Sequence, residues 1–302
     1  MTFDPAKSPA RDKWVLGVIG GSGLYEIDGL QDRRWVEVAS PWGEPSDAVL
    51  HGVLQGVEVR FLPRHGRGHR LSPSHLNYRA NIDVLKRAGV TDVLSVSAVG
   101  SLREALAPGS FVAVDQFIDR TFAREKSFFG DGLVAHVSMA DPVCHRLTAL
   151  AVAAATDAGA RITAGGTYLV MEGPQFSTKA ESRLYRAWGC DVIGMTNMPE
   201  AKLAREAELP YASLAMVTDY DCWRADDSAP VEIQHVLDVM QANAALAKTV
   251  LQALCASLAR SPRTPSPIDT VLDTALVTPP SHRDTALLAK LDAIAGRVLA
   301  KA

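Results

Sequence analysis

The stretch "YASLAMVTDYDCW" (211–223) decides the architecture. From Tyr211 to Val217 only Ser213 is strongly polar, so the run reads as a strand headed into the core. It stops abruptly at Thr218, Asp219, Tyr220 and Asp221. In extended backbone, residues i and i+2 point to the same side, so both carboxylates would face one place. Desolvated like charges at such range do not both stay ionised cheaply, and one gains a proton. The pair is either a surface turn, since Asp is common where strands meet loops, or an acid site.

Working outward, strand-like and helix-like runs alternate, with no internal repeat. Strands are expected at 14–20, 91–100, 110–118, 165–173 and 191–196, with a hairpin about Gly56 in "HGVLQGVEVRFLPR" (51–64). Helices are expected at 72–89, with Ser74 as N-cap and Gly89 past the end, and at 141–159, 177–189, 199–209 and about 230–260. This alternation argues for an α/β fold, a sheet buried by helices on both faces. After residue 260, "SPRTPSP" (261–267) and "TPPSH" (278–282) read as extended, proline-rich linker. The tail then places Leu287, Leu288, Leu291, Ile294 and Val298 on one helical face, which must cover the chain's own domain or a neighbouring subunit.

Composition narrows the classes. The 302 residues are 47% hydrophobic and 22% charged, an ordinary globular balance long enough for a full core. A net charge of -3 favours neither a nucleic-acid nor a membrane partner. Cys144, Cys190, Cys222 and Cys255 are scattered, with no metal-ligand spacing, which suits reduced thiols and a cytoplasmic location. No apolar run reaches the about 18 residues of a membrane helix. Residues 1–13 read as a disordered leader without an export signal.

Three further stretches carry chemistry. "VIGGSGLYE" (18–26) is a glycine turn after a strand; Glu26 breaks the dinucleotide spacing, leaving a single-phosphate turn around the Ser22 hydroxyl, or a plain turn. "PRHGRGH" (63–69) sets Arg64 and His65 just beyond a strand, where a planar guanidinium fork suits phosphate. His65 and His69 at i, i+4 would suit a metal only on a helix, which two glycines oppose; a solvated basic loop is the plain alternative. "SVSAVGSLRE" (95–104) ends a strand in small residues, so Ser97, Ala98 and Gly100 admit a ligand close to the backbone. All of these segments fall at strand ends, where open α/β sheets bind ligands.

Taken together, "GVIGGSGLYE", "PRHGRGH", "SAVGSLRE", "MEGPQFSTKAESRLYRAWGCDVIGMTNMPEAKLARE" and "ASLAMVTDYDCW" resemble the trimeric purine nucleoside phosphorylases. More narrowly they are similar to the S-methyl-5'-thioadenosine phosphorylase branch, over roughly 14–255. The resemblance implies one three-layer domain over 14–260 with a central mixed, mostly parallel sheet flanked by helices. It implies a homotrimer needing no cofactor or metal, with inorganic phosphate as co-substrate. Phosphate would meet Ser22, Arg64, His65, Ser97, the Ala98 backbone and Thr196. Met195 would lie against the ribose, Phe176 against the purine, and His136 would reach a neighbour's site near the 5' substituent. Ser177, Asp219 and Asp221 would meet the base edge, Asp219 as the acid at N7 and Asp221 as acceptor for a 6-amino group.

The implied reaction is phosphorolysis of a methylthioadenosine. Asn197 and Met198 stand where that branch often has Thr-Val, which leans toward methylthioinosine relatives. Another purine nucleoside such as 5'-deoxyadenosine is a further candidate. A non-catalytic nucleoside-binding module on the same fold is opposed by Arg64, His65 and Thr196, since a nucleoside alone needs no phosphate site.

Overall fold

The computed structural model describes residues 12–21, 23–224 and 233–300. Ser22 and most of the leader lie outside the described residues. The elements run β1 (Val15–Gly20), β2 (Gln31–Val36), β3 (Val49–Leu54), β4 (Val57–Pro63), α1 (Tyr78–Arg87), β5 (Asp92–Ser101), β6 (Phe111–Val114) and β7 (Gln116–Asp119). They continue with α2 (His145–Asp157), β8 (Ile162–Ala164), β9 (Thr167–Val170), α3 (Lys179–Ala187), β10 (Val192–Gly194), α4 (Asn197–Glu206) and β11 (Tyr211–Asp219). The last are α5 (Ile233–Leu258), α6 (Thr285–Lys290) and α7 (Asp292–Leu299).

All strands join one mixed, mostly parallel sheet, as expected. β5 is its axis. The first half of β5 pairs in parallel with β1, and nearly its whole length pairs in parallel with β11. Beyond β1 lie β4, β3 and β2; beyond β11 lie β6 and β8. The last residues of β5 instead meet β10, antiparallel, which carries β9 and β7.

Strand periodicity explains the two helical layers. Leu94 and Val96 of β5, with Leu214 and Met216 of β11, face a core shared with α2 and α5. Val93 and Val99, with Ala215 and Val217, face a core shared with α1, α4 and α7. Both faces of these strands are therefore buried, and the uninterrupted apolar run of 211–217 follows. Full burial of each such Val or Leu is worth roughly 1.5–3 kcal/mol.

Local signals account for most element ends. The hairpin turns at Gln55 and Gly56, both at positive φ. α1 is capped by Asn77, whose side chain accepts from the Ala80 N–H, so Ser74 is not the cap; Gly89 follows its end at φ 81°. α3 opens with a reciprocal capping box between Thr178 and Glu181. The strand expected at 110–118 is two strands, broken where the Asp115 carboxylate accepts the Gly166 N–H at 3.0 Å.

The proline-rich segment after 260 lies against the domain. Arg263 is buried and ion-paired to Asp92 and Asp269. Leu272, Leu291, Ile294, Ala295 and Val298 then join the same core as α1 and α4. Arg297 pairs with Glu208, and Arg87 with Asp292. The tail's apolar face thus covers the chain's own domain.

Candidate active site

β1, β4, β5 and β11 are parallel, so their carboxyl ends gather at one edge. The Arg64 N–H donates to the Gly20 carbonyl at 2.9 Å, tying the ends of β4 and β1 together. β10 comes from the opposite direction. Its register pairs Val192 with Ser101 and Ile193 with Gly100, so the chain that follows runs back along β5. Thr196 arrives beside Ser97, and the Ser97 hydroxyl donates to Asn197 Oδ1 at 3.2 Å. Ala98 is the one exposed residue of β5, between buried neighbours, and marks where the site opens.

The acid pair closes the other side. A Cβ on Gly100 would lie 3.0 Å from Asp219 Oδ1 and 3.4 Å from Asp221 Cβ, so glycine lets both acids approach β5. They do not project as an i, i+2 pair on extended chain, because Asp221 has φ 54° and lies past the end of β11. Asp219 Oδ1 instead accepts the Asp221 N–H at 2.7 Å, and its other oxygen accepts the Thr218 hydroxyl at 2.7 Å. Burial pushes the Asp221 carboxyl up to about 6, and the Asp219 charge adds to that more weakly. Asp221 Oδ2 is buried and faces the Ser182 hydroxyl of α3, whose weak hydrogen-bonding influence opposes the upward shift; among the described residues neither atom makes a well-formed hydrogen bond.

The basic loop is built differently from the sequence expectation. Arg64 is 2% exposed and its fork is turned inward. Nε donates to Glu200 at 3.0 Å, one terminal nitrogen to the Val96 carbonyl at 3.0 Å, and the other to the Ser95 hydroxyl at 2.6 Å. Its charge sits under the floor of the site, compensated by Glu200. His65 Nδ1 lies 2.9 Å from the Leu71 carbonyl, which only accepts, so this nitrogen carries the proton and Nε2 is left as acceptor. Burial, then the Arg64 charge, drive the His65 imidazole down to about 4, so it is neutral near pH 7. His69 stacks on it at 4.3 Å, and among the described residues no group of three His, Cys, Asp or Glu is placed to hold a metal.

The loop after β9 completes the wall. Ser177 is buried, and the Cys222 thiol donates to its carbonyl at 3.2 Å, fastening this loop to the acid turn. Phe176 is 84% exposed on the same loop. Met195 lies across Gly173, where a Cβ would meet its sulfur at 2.5 Å. His136 is exposed on a segment paired with the tail, its N–H donating to the Ala275 carbonyl at 2.9 Å; its contacts join it to none of the other candidates.

The groups that support the site carry no local signal in the sequence. Glu200 lies 136 residues from Arg64, and nothing local announces their pairing. Arg124 pairs with Glu172 and donates to the carbonyls of Met195 and Met198 at 2.6 and 2.7 Å, clamping the Phe176 loop to the Thr196 turn. No motif marked it.

A family model described as the phosphorylase superfamily matches residues 15–256. The chain belongs to the phosphorylase superfamily. Within it, the chain is 61% identical to the S-methyl-5'-thioadenosine phosphorylase of Cereibacter sphaeroides over 95% of this chain and 99% of the relative. The fold is similar to the crystal structure of a methylthioadenosine phosphorylase from an antarctic soil metagenomic library. That match has a TM-score of 0.89 and 47% identity, over 94% of this chain and 99% of the other. A methylthioadenosine phosphorylase from Schistosoma mansoni, solved in complex with adenine, matches at TM-score 0.75 and 36% identity, over 82% of this chain and 93% of that one. Superfamily membership fits a site with hydroxyls at one end and carboxylates at the other, both set alongside β5.

Proposed function

We propose that the chain is a phosphorylase converting S-methyl-5'-thioadenosine and inorganic phosphate to adenine and 5-methylthioribose 1-phosphate. The observation that carries the reading is the spacing along β5. Ser97 with Thr196 stands at one point and Gly100 with the acid pair three residues on, about 10 Å away. That gap leaves room for a ribose between a bound anion and a bound base, with Ala98 open between them.

Phosphorolysis breaks the C1'–N9 bond through a state with oxocarbenium character, and phosphate attacks C1'. Adenine leaves poorly as an anion, so a proton or strong hydrogen bond at N7 is needed. Asp219 faces N7 in this reading, and Asp221 accepts from the 6-amino group. Burial raises the Asp221 carboxyl and the Asp219 charge adds to it, which keeps a proton close to the pair. General-acid help of this kind is worth about 10²–10⁴ in rate. The phosphate contacts are Ser22, His65, whose Nε2 accepts from a phosphate hydroxyl, Ser97, the Ala98 backbone and Thr196, with Arg64 and its partner Glu200 bracing the floor beneath. Phe176 and Ser177 meet the purine, Met195 the ribose, and His136 serves a neighbouring subunit of a homotrimer. No cofactor enters the reaction.

Base preference follows from the acids. A 6-oxopurine presents an acceptor where Asp221 also accepts. The departure at Asn197 and Met198 acts elsewhere: both are buried, and the Asn197 amide bonds Ser97, Tyr211 and Ser213. The test is kcat/KM for methylthioadenosine against methylthioinosine in the same phosphate buffer. A strong preference for the 6-amino substrate is expected, and a preference for the 6-oxo substrate would overturn the base assignment.

A further inference from the structure

Where β10 runs back along β5, one polar group is left over. Tyr168 on β9 is fully buried, and among the described residues its phenol hydroxyl makes no well-formed hydrogen bond, although the Ser97 and Thr196 hydroxyls are close enough to act on it. Such a group works against stability and calls for a reason. Its oxygen lies beside the hydroxyls of Ser97 and Thr196. The position is built for it: a Cβ on Gly194 would lie 2.0 Å from the phenol oxygen, so glycine is required there.

One charge fixes the directions of the neighbouring hydroxyls. Glu200, held by Arg64, only accepts, so the Tyr211 hydroxyl donates to it at 2.8 Å. The Tyr211 oxygen then accepts from Asn197 Nδ2 at 3.0 Å. This turns Asn197 Oδ1 toward Ser97, which donates to it at 3.2 Å. The Ser97 proton is directed to Asn197 and must turn to meet an anion, whereas Thr196 caps no N–H of α4, so among the described residues here its hydroxyl is already disposed to donate.

Resting on the phosphorolytic reading above, we propose that Tyr168 is a positioning residue of the phosphate site. Its phenol donates to the Thr196 oxygen when phosphate binds, which turns the Thr196 proton onto the anion. The leftover hydroxyl is thereby kept for the liganded state.

Tyr168→Phe removes only that hydroxyl. The expected variant is at least as stable as the parent without phosphate, yet shows a smaller phosphate-induced rise in Tm. Its KM for phosphate should increase about tenfold, the equivalent of one hydrogen bond to an anion, with the nucleoside KM unchanged. In a Thr196→Val background the same substitution should add little, since both act through one contact. An unchanged phosphate KM, a lowered Tm without phosphate, or additive losses would overturn the proposal. Base release by the parent that ignores phosphate would remove the phosphorolytic reading itself, and this proposal with it; an unchanged phosphate KM in Tyr168→Phe removes this proposal alone.

Discussion

The carboxylate of Asp219 accepts the backbone N–H of Asp221 at 2.7 Å. This bond holds Asp221 at positive φ and sets its side chain into the space between β11 and α3, near Ser182. Asp219 therefore shapes the turn as well as lining the site. In Asp219→Asn the amide oxygen can still accept that N–H, so the turn should persist while the transferable proton is lost. kcat for methylthioadenosine should fall by about 10²–10⁴, with methylthioinosine losing less, because the amide can donate toward a 6-oxopurine. Equal losses for both nucleosides would mean that Asp219 is scaffold alone.

Asp221 gives the selectivity a pH dependence. With its carboxyl raised to about 6, it is ionised at pH 8 and accepts from a 6-amino group. At pH 5 it is protonated and donates to a 6-oxo group. The ratio of kcat/KM values, methylthioadenosine over methylthioinosine, should fall by about tenfold or more from pH 8 to 5, the effect of one buried polar group changing partners. Asp221→Asn should flatten that profile. A ratio that does not change with pH in the parent would remove Asp221 from base recognition.

The inward fork of Arg64 changes what its removal should do. Arg64→Ala strips Glu200, buried at 3% side-chain exposure, of its guanidinium partner, a loss of about 3–5 kcal/mol in stability. Arg64→Ala with Glu200→Gln should recover part of it, because the stranded charge is gone. A lone Arg64→Ala with the parent's Tm and a raised phosphate KM would show that the fork serves the anion directly.

Glu206 makes stability depend on pH. It is buried on α4, accepts from the Ser127 hydroxyl and the Phe128 N–H at 2.7 Å, and burial pushes it up to about 7. The folded state thus binds its proton more tightly than the unfolded state. That stability is fully present below about 4.5 and lost as pH rises through about 7. Glu206→Gln should raise Tm at pH 8, by on the order of 1–3 kcal/mol in stability, and leave it unchanged at pH 4. Equal effects at both pH values would show that ionisation is not the cause.

How legible this was in the chain depends on whether the cause is local. The buried strands of 15–20, 92–101 and 211–219 announce themselves because both faces are covered and the apolar run is continuous. β2 does not: "QDRRWV" is exposed along most of its length and carries no pattern of burial. The candidate residues were legible as residues, since glycine turns, hydroxyls and acids at strand ends are short motifs. Their orientations were not. The Arg64 fork turns on a carboxylate far along the chain, and the acids' placement turns on a single left-handed residue, Asp221. The tail's amphipathic face was visible, but not which surface it meets. Truncation after residue 260 should therefore remove Leu272 and Ile294 from the core they share with α1 and α4 and unfold the chain, not merely change the preferred 5' substituent.

The most direct test of the central claim is the phosphate balance of the reaction. The purified chain is incubated with methylthioadenosine, with and without inorganic phosphate, and adenine, phosphate and the sugar product are measured together. The account predicts one phosphate consumed per adenine released, 5-methylthioribose 1-phosphate as the sugar product, and negligible adenine without phosphate. Equal adenine release in phosphate-free buffer, with free 5-methylthioribose formed, would contradict it and make the chain a hydrolase.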